Sequence, residues 1–136
     1  MAKNARKKIS MKVEISDGEL LDKLSILEIK ALFIKDEQKL TNVQREIEEL
    51  KPLCVNLFVS REIKESYEEL KNVNLKLWEI EDSIRVKEKE QEFDDEFIRL
   101  ARGVYFTNDL RAEIKKRINL FSRSYLVEEK SYVNYK

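Results

Sequence analysis

Helix breakers are scarce in this chain: 136 residues contain two glycines, Gly18 and Gly103, and one proline, Pro52. Turn-rich β folds depend on both residue types, which supply positive φ and fixed turn geometry, so their scarcity predicts long helices. The first helix has a complete start signal in "ISDGELL". Ser16 and Glu19 have capping-box spacing, Ile15 and Leu20 fit a hydrophobic staple, and Asp17 and Glu19 suit the positive end of the helix dipole. Two apolar stripes follow: Leu20, Leu24, Leu27, Ala31 and Ile34, then Ile26, Ile29, Phe33, Leu40, Val43, Ile47 and Leu50, with Asp36 out of step. A wide apolar arc needs two neighbours and a narrow seam needs one. The pattern therefore predicts a three-helix layer at one end and a projecting two-helix hairpin.

Pro52 is expected to end this helix, since the residue before a proline is pushed from the α region. The run "LCVNLFVS" reads as a compact turn, with a short strand as the alternative. A second helix is predicted from near Ser60 to near Lys89, its core face marked by Ile63, Tyr67, Leu70, Val73, Leu77, Ile80 and Ile84. After the charged linker "KEKEQEFDD" come two further stripes: Phe97, Leu100, Ala101, Val104 and Tyr105, then Leu110, Ile114, Ile118 and Phe121. Thr107, Asn108 and Asp109 are all common N-caps, so a joint between two helices is expected there, with Gly103 allowing close approach of another backbone. The fold expectation is all-α. A long antiparallel, coiled-coil-like hairpin over residues 16–51 and 60–90 is braced at its base by helices within 94–121. Residues 1–10 read as a basic arm, 11–121 as one helical domain, and 122–136 as an extended tail along the surface or against a partner.

Charge and rare residues narrow the chemistry. With 27 basic and 27 acidic residues the net charge is zero, which removes the general attraction to nucleic acid or an anionic membrane. No apolar run nears the ~18 residues a membrane span needs, and the basic start lacks the apolar core of a signal peptide, so a cytoplasmic location is expected. The chain has no histidine, excluding Ser-His-Asp and Cys-His catalysis and histidine-ligated metal, and one cysteine, Cys54, which fits a buried apolar site. Glu46 and Glu49, with Glu79 and Asp82, resemble the carboxylate pairs of all-α nucleotide pyrophosphohydrolases. In the expected hairpin they stand ~20 Å apart at 1.5 Å per residue, too far to share one magnesium ion.

Two clusters remain as candidates. Asp22, Lys23, Glu28, Lys30, Glu79 and Asp82 fit a polar network that fixes helix register, the acids of the second long helix facing Lys23 and Lys30 of the first. Arg99, Arg102, Tyr105, Asn108, Asp109, Arg111 and Lys115 fit an anion pocket, with arginines spaced i, i+3 able to fork a phosphate or carboxylate. The rival reading for each is a set of mutually paired surface charges.

Four blocks in order, "ELLDKLSILEIK", "LWEIEDSIR", "FIRLARGVYFTNDLRAEIKKRIN" and "VEEKSY", resemble a family of small bacterial and phage proteins catalogued as a domain of unknown function. The likeness spans about residues 11–132. It implies an all-helical fold and places Asp22, Lys23, Glu28, Trp78, Glu79, Asp82, Arg102, Tyr105, Asn108, Asp109 and Arg111 in recurring blocks, without bringing a catalytic residue. The functional expectation is a helical interaction or scaffolding module with a protein partner, self-association included. The alternative is a binder of, or weak enzyme on, an anionic small molecule such as a nucleotide or sugar phosphate. No catalytic residue, cofactor or metal is assigned.

Overall fold

The computed structural model describes residues 9–136. Those residues form four helices and no strand: α1 (Asp17–Phe33), α2 (Glu37–Cys54), α3 (Arg61–Lys89) and α4 (Asp95–Ser122). The basic arm lies almost wholly outside the described residues. Each helix starts on a short polar side chain that accepts the amide three residues on, satisfying one of the donors a helix start leaves open. Ser16 takes Glu19 N at 3.0 Å and Asp36 takes Lys39 N at 2.9 Å. Ser60 takes Ile63 N at 3.4 Å and Asp94 takes Phe97 N at 3.0 Å.

The single helix expected over 16–51 is in fact two. Ile34 and Asp36 are extended, with ψ of 132° and 120°, and Asp36 caps α2. The residue that fell out of step with the stripes is thus the start of a new helix. Cys54, at the far end of α2, shares the core with Leu21 and Leu24 near the start of α1, so α2 folds back along α1. The hairpin expected between residues 16–51 and 60–90 is therefore not the main pairing, because α2 packs on α1 and α3 packs on α4. Nor does Pro52 stop α2: it sits in the last turn, and the complete burial of Cys54 holds that turn in place. The connection to α3 is a compact turn containing a short 3₁₀ segment at Leu57–Val59, whose Leu57 and Phe58 pack against the core.

α3 covers the span expected of it. It turns into α4 through Gln91, which has φ 58°. Arg117 of α4 bonds Ser66 and Glu69 of α3, and Gly103 faces Ile80, so the two helices run antiparallel. α4 is continuous through Thr107–Asp109, where a joint was expected. Thr107 is buried at seven-residue spacing between Leu100 and Ile114 and belongs to the same seam. Asn108 accepts from Arg111 and Asp109 from Tyr135, so neither side chain caps a helix. α1 crosses the α3–α4 pair and completes a core of Leu21, Leu24, Cys54, Ile63, Tyr67, Leu70, Val73, Ile114 and Ile118. The tail from Arg123 is non-helical.

Candidate functional site

The crossing of α1 with α3 and α4 is held by buried polar groups. Asp22 is 1% exposed. It accepts Arg111 Nε at 2.9 Å and Asn74 Nδ2 at 2.9 Å, and Lys115 Nζ lies 3.8 Å from its other oxygen. Asn74 Nδ2 also reaches Ser25 Oγ at 2.8 Å, and Lys115 pairs with Glu19 at 2.6 Å. Burial by itself raises the Asp22 pKa, but the hydrogen bonds from Arg111 and Asn74 and the charges of Arg111 and Lys115 outweigh it, leaving the carboxyl below its ordinary value. Arg111 is correspondingly raised, chiefly by its bond to Asp22. Glu28 holds Lys71 at 3.3 Å and accepts the Tyr67 hydroxyl. Burial and that bond push the Tyr67 phenol far above its usual range, and burial followed by the Glu28 charge pushes the Cys54 thiol up to about 11. Both groups stay neutral and serve packing.

A second polar knot closes the start of α1. Asp17 N donates to Ser124 Oγ at 2.9 Å and Gly18 N to Asn119 Oδ1 at 2.6 Å. Ser16 Oγ, while capping Glu19 N, donates to Glu128 at 2.7 Å. The tail therefore seals this helix start, and Lys116 pairs with Glu129 at 2.6 Å beside it. Gly18 makes the seal possible: an added Cβ would stand 2.5 Å from Lys115 O. The close approach expected at Gly103 thus belongs mainly to Gly18.

The residues marked by the sequence fall into several clefts. Arg99 and Arg102 line one of about 550 Å³ with Lys76, Ile80, Gly103 and Phe106. Arg99 pairs with Glu96 at 2.6 Å, and Arg102 lies over the Phe106 ring at 5.4 Å. Tyr105, Asn108 and Asp109 line another, of about 610 Å³, against the tail. Arg111 is spent on Asp22 and Lys115 on Glu19 and Asp22. The four cations do not converge on one concavity. In the other cluster, Asp22 and Glu28 are in ion pairs, whereas Asp82 lines a cleft of about 430 Å³ with Trp78, Asn108 and Arg111. Lys23 and Lys30 line a separate cleft of about 260 Å³ with Glu19, Asp22 and Glu46, and Glu79 is exposed on α3. The acids of α3 therefore do not face Lys23 and Lys30 as expected. Sequence reasoning passed over Ser25, Asn74, Asn119 and Glu128. Ser25 stands four residues from both Leu21 and Ile29, and Asn74 four from Leu70. A small polar residue on such a face is the one signal that could have found the knot.

Compared with known proteins, residues 11–135 match a model described as Family of unknown function (DUF6165). No curated protein and no solved structure matches the chain.

Proposed function

The chain belongs to this family of unknown function, and we propose that it acts as a non-enzymatic helical interaction module that associates with a second copy of itself. The observation that carries this reading is an apolar pole. Leu53, Val55 and Val59 on the α2–α3 connection are exposed, Val59 by 81%. Leu120 and Phe121 at the end of α4 are exposed as well. The Arg117–Ser66 register puts that end of α4 level with the start of α3, so these side chains share one end of the molecule. Exposed apolar groups gathered in one place mark interaction surfaces more than isolated ones do. Arg61, Glu62, Lys64 and Glu65 border the pole with both signs of charge, which suits a two-fold interface where each patch meets its own copy. Sedimentation velocity from about 1 to 100 µM is the test, spanning the affinities usual for such contacts. A dimer that Val59→Glu and Phe121→Glu dissolve without loss of helix supports the reading, and a strict monomer throughout overturns it.

A second reading, binding of an anionic small molecule, rests on the cleft of Lys76, Arg99 and Arg102 beside the Phe106 ring. Thermal-shift screening with nucleotides and sugar phosphates tests it, because a ligand for the native state raises the midpoint. Arg102→Gln should abolish any rise, and no rise at millimolar ligand removes the reading. Asp82, Glu79, Lys23 and Lys30 carry no assigned role in either reading.

A further inference from the structure

We propose that the cleft between α4 and the C-terminal tail binds an alkylated ammonium group. Its walls are Tyr105, Asn108 and Asp109 from α4, and Lys130, Tyr132, Val133 and Tyr135 from the tail, enclosing about 610 Å³. Three of these seven residues are tyrosines. Tyr105 and Tyr135 meet edge to face, with centroids 5.3 Å apart and planes at 84°, so their rings form two walls of a corner. The Tyr135 hydroxyl donates to Asp109, which fixes that ring and keeps a carboxylate at the cleft. The bond to Asp109 also pushes the Tyr135 phenol up to about 12, so the ring stays neutral at physiological pH.

Aromatic faces carry negative charge density and attract cations, and a quaternary ammonium gives up its weak hydration at little cost. Ring faces joined to one carboxylate are the complement of such a group. A primary ammonium has three donors to satisfy and finds here mainly Asn108 and Asp109. The cleft already holds a cation of its own chain: Lys130 Nζ lies 5.7 Å from the Tyr132 centroid. Next to it, Arg102 covers Phe106, the ring that also contacts Tyr105 and Tyr135. Lys130 is exposed, so its side chain can swing into solvent and a ligand ammonium takes its place. The charged groups lining the cleft are Asp109 and Lys130, so Lys130 is the repulsive element to be displaced.

The full chain is titrated with choline chloride at an ionic strength held constant with sodium chloride, following tyrosine ring signals by NMR. Saturable shifts with half-saturation on the order of a millimolar are expected. Tyr105→Leu and Tyr132→Leu should each weaken binding roughly tenfold, while Tyr105→Phe, which keeps the ring face, should not. Lys130→Ala should tighten binding by about threefold, an increase that no unfolding can mimic. Trimethyllysine amide binding more tightly than choline assigns the group to a modified protein side chain, and the reverse order to a free small molecule. Shifts that fail to saturate, equal binding of unmethylated lysine amide, or unchanged affinity in a helical Tyr105→Leu protein would overturn the proposal.

Discussion

Substituting alanine at each of the two glycines should change stability in opposite directions. At Gly18 the new Cβ would stand 2.5 Å from Lys115 O and 2.9 Å from Asn119 Oδ1. A comfortable carbon–oxygen contact is near 3.3 Å, so α4 must retreat by about 0.8 Å, and a backbone oxygen cannot rotate away. Retreat lengthens the Gly18 N–Asn119 bond of 2.6 Å and the Asp17 N–Ser124 bond of 2.9 Å together. Overpacking costs about 1–3 kcal/mol, and a buried amide left unpaired costs a similar amount. Alanine's helix preference returns at most ~1 kcal/mol, so Gly18→Ala should lose about 2–4 kcal/mol. At Gly103 the added Cβ meets Ile80 Cδ1 at 3.3 Å, the free end of a side chain that can pivot. There the helix preference dominates, and Gly103→Ala should gain about 0.5 kcal/mol or more. Urea unfolding followed by far-UV circular dichroism measures both, with midpoints compared at constant slope. A Gly18→Ala protein within about 0.5 kcal/mol of the parent, or equal losses at the two sites, would refute the crossing geometry.

Two further predictions concern polar groups and caps. The Asp22 carboxyl is held below its ordinary value of 3.8, so its contribution is present above the unfolded-state pKa and is lost as pH falls through the lower folded-state value. Asp22→Asn should cost about 2–3 kcal/mol at pH 7, through loss of the charge opposite Arg111, and less below pH 4; equal costs in urea melts at pH 7 and 3 would contradict this. Arg123 ends α4 with φ 59°, a left-handed position that costs a side chain about 1 kcal/mol. Arg123→Gly should raise the thermal midpoint by a few degrees, and a fall would show that Arg123 contributes more than its backbone.

Much of the fold was legible because helices declare themselves locally. The N-cap at Ser16 and the start of α3 near Ser60 are where the residue pattern put them, although Glu19 pairs with Lys115 instead of closing a capping box. The break at Asp36 was equally visible, since an acidic residue out of step with two apolar stripes is also a good N-cap. The long-hairpin expectation treated it as a blemish in one helix. Pro52 and Thr107 failed for a different reason. Local preference spoke for a stop at one and a start at the other, while the burial of Cys54 and of Thr107 in a continuous seam decided otherwise. Which helix pairs with which was not legible from periodicity, because an apolar stripe marks the buried face of α2 but not the helix that covers it. Of the site residues, Asp22, Arg111 and Lys115 were marked by type and do meet, though they had been assigned to separate clusters. A sequence separation of 89 residues between Asp22 and Arg111 leaves no local signal of that meeting.

The tail connects these observations. A helix start with free amides would attract anions, but in α1 the amides of Asp17, Gly18 and Glu19 are taken by Ser124, Asn119 and Ser16. Glu128 then bonds Ser16, so the negative charge that a helix start favours comes from the chain itself. The same seal fixes the course of the last residues of the chain. With Glu128 on Ser16 and Glu129 on Lys116, the tail leaves α1 and runs back along α4, bringing Tyr135 to Asp109 twenty-six residues away in sequence. The cleft of Tyr105, Tyr132 and Tyr135 is thus linked through the tail to the helix start where Gly18 lets α1 and α4 approach closely. A change at Gly18 is expected to act on that cleft through the tail, with no contact between them.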